Sequence, residues 1–187
     1  MKEDLQHYLR DARACLLWKL DDLGERDVRR PLTPTGTNLL GLVKHLTTVE
    51  LLYLGIVFDR PPVNPVPWLR PDLEPNIDLW AAEDESREYI VGCYREAWRH
   101  ADATIAELDL DAVGTIVWWP EKQGTLHRVL AHVLAETQRH LGHADIVREL
   151  IDGAAGLRKG QDFLPPRDEL EWHAHYSRLA TVADKHE

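Results

Sequence analysis

Proline is confined to a few places in this chain, and that confinement limits what it can fold into. The eleven prolines occupy positions 31 and 34, six positions between 61 and 75, position 120, and the pair 165–166. Inside a helix a proline costs about 3 kcal/mol, through its missing N–H and the clash of its ring with the preceding turn. Helices must therefore run in the segments between, and four such segments are long. The first covers about residues 2–23, with Leu5, Leu9, Ala12, Leu16, Leu20 and Leu23 at helical spacing. The second, about 38–58, is apolar over most of its circumference and is expected to be the most buried. The third, about 78–108, aligns Ile90, Cys93, Tyr94, Ala97, Ala101, Ile105 and Leu108. The fourth, about 124–153, opens with Thr125 as an N-cap and closes at Gly153. Alternation of the β kind is nowhere sustained. The expected fold is all-α, a four-helix bundle.

The connections are uneven. A short loop containing PLTPTGT joins the first two helices. DRPPVNPVPWLRPDLEPN joins the second and third, and it reads as a long, stiff crossover over one end of the bundle. Trp68 in that crossover, and Trp118 with Trp119 before the fourth helix, are large apolar groups able either to roof a pocket or to cover the bundle end. Residues 1–158 are expected to form the bundle. Residues 159–187, partly helical, are expected to form a peripheral tail.

With 187 residues the chain can bury a full core without disulfides. A formal net charge of −10 argues against a nucleic-acid partner, since phosphate binding relies on Lys and Arg. Cys15 and Cys93 have no ligand spacing and read as small buried residues of a reduced compartment. The charged first residues do not resemble a signal peptide, and no apolar run is long enough to suggest a membrane span. The expectation is a cytoplasmic protein with no membrane partner.

The chemistry gathers on the fourth helix. His132, Glu136 and His140 recur at every fourth position, and His143 follows His140 on the same side. Leu126, Val129, Leu130, Val133, Leu134 and Leu141 form the apolar stripe beside them. Polar groups next to a buried stripe need partners, and a metal ion is a partner that can use imidazoles and a carboxylate together. Glu136 and His140 supply half of such a site, so a further ligand should come from another helix. His45 is the histidine within the most apolar segment. A single histidine there is more often a hydrogen-bonded core residue, but with Glu136 and His140 elsewhere the ligand role gains weight. His132 and His143 can each be a fourth ligand, a supporting group or a base in the pocket. Glu50 and Asp145 are candidates to accept the free N–H of a ligand histidine. His7 and His100 lie on charge-rich helices and are expected in solvent, and His173 and His175 in the tail are not expected to form a site.

The runs PLTPTGTNLLGLVKHLTTVE and GTLHRVLAHVLAETQRHLGHADIVRELIDG resemble the DinB-like superfamily. The likeness is to the branch that contains mycothiol-dependent transferases and the metal-binding domain of mycothiol-dependent maleylpyruvate isomerase. It rests on a histidine before V-E in the second helix and on E-x-x-R-H-x-G-H-x-D in the fourth. The resemblance implies metal ligands at His45, Glu136 and His140, with His132 not among them. It also implies zinc, or nickel or another divalent ion, with an open position. Mycothiol would be the thiol cosubstrate, and homodimers are common. On this reading the chain is expected to be without the additional domain of the isomerase, so that transfer of a thiol to an electrophile is expected rather than isomerisation. Two other readings stand beside it. One is a metal-dependent hydrolase using metal-bound water with His132 or His143 as base, and the other is a non-catalytic metal-binding stress protein.

Overall fold

The computed structural model of the chain describes residues 1–70 and 72–186. Pro71 of the crossover and Glu187 at the end of the tail lie outside the described residues. The elements in order are α1 (Lys2–Trp18), α2 (Glu25–Arg29), α3 (Leu39–Tyr53), α4 (Arg87–Glu107), β1 (Val113–Thr115), β2 (Gln123–Thr125), α5 (Leu126–Asp152) and α6 (Glu169–Ala183). The fold is mainly helical. Among the described residues its sheet is one antiparallel pair, with Gly114 opposite Gly124.

Helix α3 lies against both α4 and α5, while α1 lies against α5 and touches α4. Their apolar stripes meet in one core. Leu9 and Leu16 come from α1, Val43 and Leu46 from α3, Ile90 and Tyr94 from α4, and Val129 and Val133 from α5. The stretch Leu39–Phe58 is apolar enough to cross a membrane by length and composition, but most of it is buried among the other helices. Cys15 is buried and Cys93 half-buried. Burial pushes the Cys15 thiol up to about 11, which leaves it protonated and unreactive at neutral pH.

Each boundary that departs from expectation has a visible cause. Helix α1 stops at Trp18 rather than continuing to residue 23, because its last carbonyls turn to a buried cation. Arg148 of α5 donates through Nη1 to the carbonyls of Trp18, Lys19 and Asp21 at 3.4, 3.0 and 2.8 Å. The short helix α2, which the apolar spacing did not predict, follows that turn. Helix α5 is bounded as expected. Thr125 Oγ1 accepts from the Arg128 amide, and Gly153 closes the helix at φ 76°, a left-handed conformation that suits glycine.

The third helix begins at Arg87, not near residue 78, because Ser86 caps it by accepting from the Tyr89 amide. Residues 77–86 form instead an irregular strap laid along α3, opened by a 3₁₀ turn at Ile77–Leu79. Asn38 Nδ2 donates to the Leu79 carbonyl at 3.2 Å. Lys44 Nζ donates to the Trp80 carbonyl at 3.0 Å and to Glu85 Oε2 at 2.7 Å. Gly41 is required at the crossing, since a Cβ there would lie 1.9 Å from the Leu79 carbonyl oxygen.

Trp68 is buried against Leu51, Val66 and Ala97, so the crossover covers the α3–α4 seam. Helix α6 is well capped by reciprocal bonds between Asp168 and Glu171, yet none of its residues is buried.

Candidate metal centre

Packing of α3 against α5 brings His45 over the turn that carries Glu136 and His140. One ligand atom from each of the three side chains lies within 4.8 Å of the others, and all three residues are half-buried. His140 Nε2 is 3.0 Å from Glu136 Oε1, and His45 Nε2 is 3.8 Å from the same oxygen. The two imidazoles meet edge to face with their centroids 4.7 Å apart. Ligand atoms at ~2.0–2.2 Å from a tetrahedral ion stand about 3.3–3.6 Å from one another. The two separations from Glu136 Oε1 bracket that range, and with the third pair within 4.8 Å the donor set is of the kind and size that could hold a zinc-sized divalent ion.

The electrostatics agree with that fit. Burial works to raise the Glu136 carboxyl, but the adjacent His140 and then His45 outweigh it and hold the group below its ordinary range. Burial, followed by the charge of His45, depresses His140, and Glu136 only partly compensates. An ionised carboxylate and a neutral imidazole are the forms that bind a metal. His140 Nδ1 is buried without a hydrogen-bond partner among the described residues. Such an atom is costly in a closed core, and here it marks a cluster that is not saturated from within.

The partner of His45 was not the expected one. Its Nδ1 lies 2.9 Å from Asp78 Oδ2, in the 3₁₀ turn that opens the strap. Burial works to raise the Asp78 carboxyl, and the hydrogen bond from His45 overcomes it, leaving the group below its ordinary range. Glu50 and Asp145, the candidates for this role from sequence, are engaged elsewhere. Glu50 accepts from Arg13 Nε and Nη2 at 2.7 and 2.5 Å on another side of α3. Asp145 pairs with Lys19 at 2.6 Å. The bond between His45 and Asp78 spans 33 residues, so no local spacing could have disclosed it.

The other histidines sort clearly. His143 packs on His140, with ring centroids 5.2 Å apart. His132 turns instead towards Tyr53 and Trp119, at 4.6 and 5.2 Å between centroids. Neither joins the three-residue cluster. Trp118 Nε1 donates to Tyr53 Oη at 2.9 Å, which extends an aromatic wall one turn along α5 from Glu136. Of the tryptophans expected to border a pocket, Trp119 stands beside His132 and Trp118 against Tyr53, whereas Trp68 belongs to the core. His100 is not free in solvent, because its Nε2 meets the Arg60 carbonyl at 2.7 Å. His7 is exposed, and His173 and His175 lie on α6 away from any metal-like cluster among the described residues.

The sequence matches the family described as Mycothiol-S-transferase over residues 4–153. The chain belongs to this family. Comparison with curated proteins gives no significant match. The matched range contains all but the first two residues of α1 and the whole of α2 through α5, with all three cluster residues and Asp78, and it leaves out α6.

A cavity of roughly 700 Å³ in this mycothiol S-transferase family member lies between α4 and the Pro62–Val66 stretch rather than at the cluster. It is lined by Tyr89, Cys93 and Ala97, and none of the residues in the metal-like cluster borders it. Volume alone therefore points away from the chemistry here. The convergence of two imidazoles and a carboxylate is the more specific sign.

Proposed function

We propose that the protein is a metal-dependent S-transferase that uses mycothiol as its thiol. The observation carrying this proposal is the convergence of His45, Glu136 and His140 within the range matched by the mycothiol S-transferase family. These three residues would hold the ion, zinc by preference for such a donor set, with nickel or another divalent ion as alternatives. When bound, the ion supplies Lewis acidity that favours the thiolate over the thiol.

The chain's own residues account for the remaining steps. Three protein ligands leave room for a fourth, so the site is open in the manner of catalytic rather than structural centres. His143, packed on His140 and half-exposed, is the proposed acceptor of the thiol proton, with His132 the second candidate. The sulfur then uses its electron pair to form a bond to an electrophilic carbon of the substrate. In a substitution the leaving group departs with the bonding pair. In an addition the displaced π pair takes up a proton, which the same imidazole can return. The aromatic wall of Tyr53, Trp118 and Trp119 would exclude water on one flank. The proposal takes residues 1–158 as a four-helix bundle bearing the site and 159–187 as peripheral, in a cytoplasmic homodimer.

Metal analysis of the purified protein, followed by thiol titration of its cobalt form, tests this. About one ion per chain is expected, lost in His45→Ala and His140→Ala. Mycothiol should then add a sulfur-to-cobalt charge-transfer band. Full retention of metal in both variants would overturn the ligand assignment. Turnover of simple esters with no response to any thiol would turn the proposal into a hydrolase, and silence in both assays would leave a non-catalytic metal protein.

A further inference from the structure

We infer that Asp78 is a positioning residue for the metal centre, and that through it the 77–86 strap and the bound ion stabilise one another. The inference rests on the ligand assignment above. A carboxylate can only accept, so the 2.9 Å contact between Asp78 Oδ2 and His45 Nδ1 places the ring proton on Nδ1. Nε2 then keeps its lone pair, and Nε2 is the atom that faces Glu136 Oε1. One hydrogen bond thereby selects the tautomer and the ring orientation a ligand needs.

Asp78 does not hang from a free loop. The strap is tied to α3 by Asn38 and Lys44 through the Leu79 and Trp80 carbonyls and Glu85. It is tied to α2 by Arg29, which donates to the carbonyls of Ala82 and Glu85 at 3.1 and 2.6 Å. Within it the Ala82 amide donates to Glu85 Oε2 at 2.8 Å. These bonds hold Asp78 in place without the help of any ligand residue. If the docked strap aids the ion by fixing His45, binding reciprocity requires the ion to aid docking of the strap to the same degree.

The test uses the full chain, stripped of metal, with zinc affinity measured by competition against a chromophoric chelator. Asp78→Ala is expected to bind zinc about 10–100-fold more weakly than the unaltered protein. Asp78→Asn keeps an acceptor oxygen without the charge and should fall between them. Circular dichroism and the metal-free unfolding midpoint should stay unchanged, which separates positioning from mere loss of structure. Zinc should slow hydrogen exchange of the amides in 77–82, and Asp78→Ala should lose that protection. Affinity within about twofold of the unaltered protein would overturn the inference. Should Asp78→Ala fail to fold, Asp78→Asn carries the same comparison, and unchanged affinity there overturns the inference equally. If His45→Ala loses zinc while both Asp78 variants keep it, only the role of Asp78 fails. If the unaltered protein takes up no zinc, the ligand assignment fails and this inference with it.

Discussion

His45 and Glu50 sit on the same helix and belong to two polar clusters of opposite character. Glu50 is fully buried and receives two hydrogen bonds from Arg13, whose third contact goes to Asp102 Oδ1 at 2.8 Å. Burial works against the Arg13 charge, but the two carboxylates outweigh it and hold the guanidinium above even its ordinary high value. That cluster is complete: its charges answer one another between α1, α3 and α4. The cluster of His45, Glu136 and His140 is half-exposed, brings two imidazoles and a carboxylate together, and leaves a buried imidazole nitrogen unpaired among the described residues. A saturated charge network serves the fold. An unsaturated one at the edge of the core is available to a ligand.

The largest expected effect follows from breaking each cluster in turn. Glu50→Ala leaves the buried Arg13 charge with Asp102 as its remaining carboxylate and should lower unfolding free energy by about 3–5 kcal/mol in urea titrations. Glu136→Ala removes a half-exposed group, so metal-free stability should change by less than about 1 kcal/mol while zinc binding is lost. Equal costs for the two variants would erase the distinction.

A bound ion should close the second cluster as Arg13 closes the first. Zinc held at a hundredfold excess over its Kd should add about 2.7 kcal/mol to unfolding free energy, removable with a chelator. Glu136→Ala should show no such gain.

Acid should take the clusters apart at different pH. The metal-free His140 imidazole is depressed by burial and by His45, so its unfolded value, ~6.5, is the higher one. Stability from this source is present above that value and declines as pH falls below it. Burial pushes Asp102 up, but the hydrogen bond and charge of Arg13 hold it below its ordinary range. Its contribution survives to lower pH, is full above ~3.9, and is lost on further acidification. Metal-free unfolding measured against pH should therefore fall in two steps. His140→Gln should remove the upper step, and Asp102→Asn should shrink the lower, which Glu136 and Asp78, also held below their ordinary range, share. A single step unaffected by His140→Gln would contradict the assignment.

The smallest effect belongs to the tail. Because α6 buries none of its residues, truncation after Leu164 should change stability by less than about 1 kcal/mol and leave zinc affinity unaltered. A larger loss would show that α6 packs on something, a second copy of the chain included.

Much of this was legible in the residues themselves. Proline positions bounded the long helices, and the Thr125 cap and Gly153 stop of α5 follow from local backbone chemistry. The pairing of Glu136 with His140 is a property of one helix, fixed by about 3.6 residues per turn whatever surrounds it. Selecting His45 as their companion needed the family resemblance as well as its apolar surroundings, and the fold brings the three together. What only the tertiary structure decided are the choices between partners distant in sequence. Glu50, expected to support His45, faces Arg13 because of how α3 is rotated against α1 and α4. Asp78 reaches His45 because Ser86 delays the start of α4, leaving the preceding residues free to lie along α3 as a strap. Helical periodicity says which side chains share a face. Which neighbour that face meets depends on how helices and connections pack together, and no spacing within one segment encodes it.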